Sequence, residues 1–371
     1  MSDNLRKTVF VVPHTHWDRE WYEPFQVVRT RLVRVLDHAL DVLQRQPRFR
    51  RFVLDGQAVI LEDYLAVRPE READIRQLVQ AGRLLIGPWY VLADEFLVSP
   101  EALIRNLSLG RQVSQRFGQP MTVGYTPDPF GHIAQLPRIL AGFGLESVVF
   151  QRGVGDEAER LGIEFTWEAS DGAEVLAIQL PATYSAVAGL GHRTWNYEEG
   201  GRYDVDLAAR HVRAILFGDV EPPEELPFWL KLPFSRLNGV GLAGKSRSPA
   251  LLLLNATDHL YMQEDLPDLV EDLARAVPEA DWVLGDLQEY VARVRETAAG
   301  LERYRGEFRG SRYHHILSGV LSSRVYLKQA NDRAQQLLER HAEPLLALAR
   351  AAGAFDGSAL LREARKIGRA S

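Results

Sequence analysis

Short apolar runs alternate with amphipathic stretches between residues 8 and 297 of this chain, and that alternation restricts the fold more than any single motif does. Thr8–Val12, Phe52–Leu54, Leu84–Ile86, Val123–Tyr125, Val148–Phe150, Leu251–Leu254 and Trp282–Leu284 read as buried strands. Between them, Val27–Leu43, Ala58–Leu65, Ala73–Ala81, Leu103–Phe117, Leu136–Gly142, Pro267–Val277 and Leu287–Thr297 read as helices. The first of these carries Val28, Leu32, Val35, Leu36, Ala39 and Leu43 at helical spacing. Strands that alternate with helices predict an α/β fold, either a β/α barrel or a doubly wound sheet.

The pattern loosens in the middle. Phe165–Glu168 and Val175–Ile178 flank Asp171-Gly172, a hairpin signal. Residues 221–249 are rich in Pro, Gly and Ser and read as a long loop. Beyond Phe308 the pattern turns helical, with Ala334, Leu337, Leu338, His341, Leu345 and Leu348 on one face and a further helical stretch over Ser358–Lys366. This predicts a barrel-type unit over residues 1–300 and the start of a helical bundle over residues 301–371.

The 371 residues include no cysteine, which excludes disulfides, thiolate metal sites and cysteine nucleophiles. Any bound metal must be held by His, Asp, Glu or backbone oxygens. A net charge of −6 argues against nucleic acid as a partner. The run Thr8–Val12 is too short for a signal-peptide core, and no later run approaches the ~18 apolar residues of a membrane span. The expectation is a soluble cytoplasmic protein that does not enter a membrane.

Three clusters follow predicted strands. His14, His16 and Asp18 alternate along an extended segment and so point the same way, in a combination that suits a borderline cation such as zinc. Asp128 lies between Pro127 and Pro129, whose restricted backbones fix a carboxylate as a nucleophile, a metal ligand or a turn cap. Asp258, in Asn255-Ala256-Thr257-Asp258-His259, is again a carboxylate just past a strand, and an Asx-turn explains it equally well.

Together, His14-Thr15-His16-Trp17-Asp18-Arg19-Glu20-Trp21-Tyr22, Asp128-Pro129-Phe130-Gly131-His132 and Asn255-Ala256-Thr257-Asp258-His259 resemble the signatures of family 38 glycoside hydrolases, the retaining α-mannosidases. The first form is similar to the bacterial branch that includes mannosylglycerate hydrolases, as are Gly87–Tyr90, Asp94–Phe96 and Gly319–Arg324. The resemblance implies a seven-stranded β/α barrel of the glycoside hydrolase/deacetylase type, followed by a helical bundle. It implies zinc, or another divalent cation, held by His16, Asp18 and Asp128. Asp128 would also be the nucleophile and Asp258 the general acid/base. Trp21 would floor the mannose site and Phe130 line it, with His14 and His132 in support. The substrate would be an α-mannoside, mannosylglycerate or an α-mannosyl oligosaccharide.

Family members are longer, and their bundle supplies a further zinc ligand from a His-Asp motif. No such motif follows Leu360–Ala364 before Ser371, so the resemblance implies a C-terminally truncated and impaired enzyme. His314-His315 reads as a solvated pair at a helix start and not as a substitute ligand. The uncovered apolar face around Leu337 and Leu345 predicts association between copies, in a homo-oligomer or an aggregate. Two other readings compete. One is a metal-dependent deacetylase on a related barrel, although the His-x-x-x-His pair of such enzymes is missing. The other is a non-catalytic remnant that binds sugar or a partner.

Overall fold

A computed structural model describes residues 6–193 and 202–367. Among these residues ten strands form two five-stranded sheets. In the first, β1 (Lys7–Thr15) pairs in parallel with β2 (Phe52–Leu54), and β2 with β3 (Leu84–Leu85). In the second, β4 (Gly124–Thr126) pairs in parallel with β5 (Ser147–Phe150), followed by the hairpin strands β6 (Glu164–Glu168) and β7 (Glu174–Gln179). The first sheet is completed by β8 (Ala250–Asn255) and β9 (Ala280–Leu284), both parallel to β1. The second ends with β10 (Arg303–Arg305) against β6.

The expected closed barrel is not found. Among the described residues, no ladder joins β3 to β4 or β7 to β8. Single bonds reach across instead, from the Met121 amide to the Ile86 carbonyl at 2.8 Å and from Val187 to Leu254 at 3.3 Å. The β6–β7 hairpin is the physical reason on one side. Its antiparallel strand takes the outer edge of β7, where a barrel would continue with a parallel strand.

The helices form where the pattern places an apolar face and a cap. Helix α1 (Phe25–Arg45) buries Val28, Leu32, Val35, Leu36, Ala39, Leu40 and Leu43. Two short helices, α2 (Val59–Leu65) and α3 (Glu72–Gln80), precede β3. Ser99 accepts from the Ala102 amide at 3.0 Å and caps α4 (Pro100–Gln115). Helices α5 (Leu136–Gly142) and α6 (Ala158–Leu161) flank β5. Asp204 likewise caps α7 (Val205–Leu216), a helix the sequence pattern does not reveal.

Residues 221–249 are not one long loop. They contain α8 (Phe228–Leu237) and α9 (Gly241–Lys245). Pro233 forfeits a helix hydrogen bond, yet Leu230, Pro233 and Leu237 are buried on one side of α8, and that packing holds the turn sequence helical. Helices α10 (Leu266–Ala276) and α11 (Leu287–Thr297) complete the alternation. The chain ends in α12 (Val325–Leu337), α13 (Glu343–Ala351) and α14 (Ser358–Ile367). No residue of α12 or α13 is buried, and Leu345 is 64% exposed.

Among the described residues two main apolar cores result, beside a small cluster of Ala188, Leu226, Leu230 and Leu260. The larger lies under β1, β2 and β8, and the smaller packs Phe150, Phe165, Trp167 and Phe308. Among the described residues no helix is long and apolar enough to cross a membrane.

Candidate active site

The site is assembled just beyond the C-terminal ends of the parallel strands. Past β1 and β8 the two chains still bridge, with His16 opposite Asp258. The His259 amide donates to the His16 carbonyl at 3.0 Å. Asp128 follows β4 on a loop that two neighbouring carboxylates hold. Asp94 accepts from the Phe130 amide at 3.0 Å, and Glu95 accepts from the Ile133 amide at 2.9 Å and pairs with His132 Nδ1 at 2.7 Å. Past β2, Gly56 lies so close to β4 of the other sheet that a Cβ there would sit 2.3 Å from the Tyr125 carbonyl.

His16, Asp18, Trp21, Asp128, Phe130 and Asp258 all border one cavity of about 370 Å³. The structure therefore brings together every residue to which the family resemblance gives a catalytic, metal-binding or sugar-binding role. Trp21 is 51% exposed, so it stands at the mouth and not in the core. Its ring lies 6.4 Å from that of Phe130. His14 is not on the wall. It is fully buried below it, with Nε2 2.7 Å from the Tyr184 carbonyl, and burial pulls its imidazole down to about 4.

Four polar residues to which the sequence reading gives no role complete the site. Arg152, past β5, places Nε at 2.7 Å and Nη2 at 2.6 Å from Asp128 Oδ1, and its Nη1 donates to the His315 carbonyl at 2.8 Å. Tyr184 donates its hydroxyl to Asp258 Oδ1 at 2.9 Å. Asp55, past β2, accepts from the Trp17 amide at 3.0 Å and from Gln57 at 2.8 Å. Asp94 is the fourth. Asp55 and His259 sit at φ of 46° and 58°, a left-handed conformation that costs a non-glycine residue energy and clusters at functional sites. Asp55 and Arg152 carry the signal that flagged Asp128, a polar residue directly beyond an apolar strand. Tyr184 carries no local signal.

The electrostatics are uneven. Burial drives the Asp128 carboxyl up to about 6, opposed by His16 and Arg152 and reinforced by Asp258. Burial alone would lower the His16 imidazole, but Asp55 and Asp18 outweigh it and hold it well above its ordinary value.

The donor set has the chemistry of a cation site. His16 is buried, and neither of its ring nitrogens has a hydrogen-bond partner. Asp18 Oδ1 lies 3.5 Å from Nε2, and Asp55 Oδ2 lies 3.3 Å from Nδ1. An orphaned imidazole nitrogen facing a carboxylate across a cavity fits a divalent ion. Among the described residues, however, no three His, Asp or Glu side chains form a ready-made metal cluster, and Asp128 is engaged by Arg152.

Of the His314-His315 pair only His315 is exposed as expected. His314 is buried, with Nε2 3.2 Å from the Leu180 carbonyl and Nδ1 2.8 Å from Arg236, because α8 packs over it. His315 borders the cavity.

Residues 6–216 match the model of the glycosyl hydrolases family 38 N-terminal domain. The chain belongs to glycoside hydrolase family 38. Within the family it is 35% identical to a protein of Halalkalibacterium halodurans named "Putative mannosylglycerate hydrolase", over 93% of this chain and 36% of the relative. It is 30% identical to human alpha-mannosidase 2C1 over 46% of this chain and 16% of that protein. The crystal structure of an alpha-mannosidase from Enterococcus faecalis V583 superposes with a TM-score of 0.82 at 30% identity, covering 98% of this chain and 38% of the other. The chain thus spans little more than a third of the length of these bacterial relatives.

Proposed function

We propose that this family 38 chain carries the catalytic site of a zinc-dependent retaining α-mannosidase, acting on mannosylglycerate or on α-mannosyl oligosaccharides. The observation that carries the reading is the convergence of Asp128 and Asp258 on one cavity with His16 and Asp18. Retaining hydrolysis uses two carboxyl groups about 5–5.5 Å apart, one to attack and one to protonate the departing oxygen.

Arg152 meets Asp128 on Oδ1 alone, which leaves Oδ2 to attack the anomeric carbon. Above pH 6 the Asp128 carboxyl is mostly ionised. As the bond from Oδ2 to C1 forms, the C1–O bond to the aglycone breaks, and Asp258 gives its proton to the leaving oxygen. Water then attacks C1, Asp258 takes back a proton, and Asp128 departs. Tyr184 fixes Oδ1 of Asp258, so the transferable proton belongs on Oδ2. Trp21 and Phe130 offer apolar ring faces to the C–H face of the sugar. His16, Asp18 and Asp128 would hold the zinc, which supplies orientation of the sugar hydroxyls and neutralisation of charge.

The test uses the purified 371-residue chain, an aryl α-mannoside, the anomer first released as seen by NMR, and zinc stoichiometry by elemental analysis. The expected result is α-mannose and bound zinc that His16→Ala lowers. Mannoside binding with no release of mannose selects the non-catalytic reading. Release of β-mannose refutes the retaining mechanism.

A further inference from the structure

Arg236 sits in the last turn of α8, half-buried, against the stretch of chain that carries His315 into the cavity wall. It has no carboxylate partner among the described residues. Its one side-chain hydrogen bond among those residues runs from Nη1 to His314 Nδ1 at 2.8 Å. His314 Nε2 lies 3.2 Å from the Leu180 carbonyl, so the ring donates there and accepts from Arg236.

Arg152 is a second cation in the same neighbourhood, but its charge is spent on Asp128. Arg19, which also borders the cavity, is paired with Asp63 at 2.7 Å. Among the described residues Arg236 therefore stands without a compensating carboxylate. Burial and the repulsion of Arg152 push its guanidinium down from its ordinary value. A fully exposed arginine needs no partner, because water solvates it. A half-buried one beside another arginine gains from an anion, and its planar fork matches carboxylate and phosphate oxygens.

We propose that Arg236, positioned by His314 and flanked by His315, forms an anion-binding corner beside the sugar cavity that selects α-mannosides bearing a carboxylate or phosphate group. This rests on the α-mannosidase reading and extends it to substrate choice. It also explains the buried imidazole at His314. A neutral ring accepts one guanidinium N–H and leaves the other donors free for the substrate.

The test compares mannosylglycerate, mannose 6-phosphate glycosides and methyl α-mannoside on the wild-type chain, Arg236→Gln and Arg236→Lys. Wild type should prefer an anionic substrate. Arg236→Gln should reduce that preference roughly 10- to 100-fold, through KM, as loss of a charge-assisted contact does. Arg236→Lys should recover part of it. Which anionic substrate is preferred distinguishes an aglycone carboxylate from a sugar phosphate. An equal loss on the neutral and anionic mannosides, or no loss, overturns the proposal. If wild type hydrolyses none of them, the α-mannosidase reading has failed, and calorimetric titration of D-glycerate and inorganic phosphate decides the corner alone. Binding weakened in Arg236→Gln supports it, and binding that is absent or unchanged refutes it.

Discussion

Tyr184→Phe separates the orientation of Asp258 from everything else Tyr184 does. The phenol donates to Asp258 Oδ1 at 2.9 Å. The ring packs against His16 and His14 at centroid distances of 5.0 and 6.4 Å. The backbone carbonyl accepts from His14 at 2.7 Å. Phenylalanine keeps the ring and the carbonyl and removes one hydroxyl. A hydrogen bond to a charged group contributes about 1.5–3 kcal/mol, so a step that depends on it should slow roughly 10- to 150-fold. That step is proton delivery to the leaving oxygen. A nitrophenolate departs with little help from an acid, whereas an alkoxide needs its proton. The assay is therefore kcat/KM, which reports events through the first bond cleavage, on a nitrophenyl and an alkyl α-mannoside. The alkyl substrate should lose roughly 10- to 150-fold and the nitrophenyl substrate much less, with the melting temperature nearly unchanged. Equal losses on both substrates would show that Tyr184 acts on binding or folding and not through Asp258.

Trp21→Ala should change stability by no more than about 0.5 kcal/mol, because Trp21 is half exposed, while raising KM for α-mannosides; a fall in melting temperature with KM retained contradicts its place at the sugar site. Phe308→Ala, in contrast, should cost about 3–5 kcal/mol in urea unfolding, since Phe308 is fully buried and contacts Phe150, Trp167 and Tyr304; a loss below 1 kcal/mol would mean that the smaller core does not depend on it. Glu164 is driven by burial from its ordinary 4.5 to about 6, so the folded chain holds that proton more tightly than the unfolded one and loses stability as pH rises between those values. Relative to wild type, Glu164→Gln should gain about 2 kcal/mol between pH 4.5 and pH above 6, and a flat difference across that range refutes the shift.

What the sequence reveals and what it hides divide along physical lines. Thr8–Val12 and Leu251–Leu254 are legible as strands because burial on both faces leaves an unbroken apolar run, and both fall inside the observed β1 and β8. Closure of the sheets is not legible, because it depends on which strands lie against the edges of β3 and β7. That pairing involves residues far apart in the chain, such as Met121 with Ile86. Helix α8 is hidden for a different reason. Pro233 argues against a helix locally, and only the burial of Leu230 and Leu237 overrides it. The burial of His314 follows from the same helix, since a histidine facing an unstructured loop is solvated and one under a packed helix is not.

The site obeys one rule more general than the motifs that first marked it. Parallel strands that share a direction deliver their C-terminal ends to one side of the sheet, so residues just beyond those ends meet regardless of their separation in sequence. His16 follows β1, Asp55 follows β2, Asp128 follows β4, Arg152 follows β5 and Asp258 follows β8. Applied uniformly, the rule finds Asp55 and Arg152 as readily as Asp128. It misses Tyr184, which lies several residues beyond β7 and reaches Asp258 only because the intervening chain folds back, with Leu180 bonded to Phe150. Strand topology thus dictates which charges meet in the cavity. The neutral group that orients one of them, Tyr184 on Asp258, comes from a connection whose course no local pattern records.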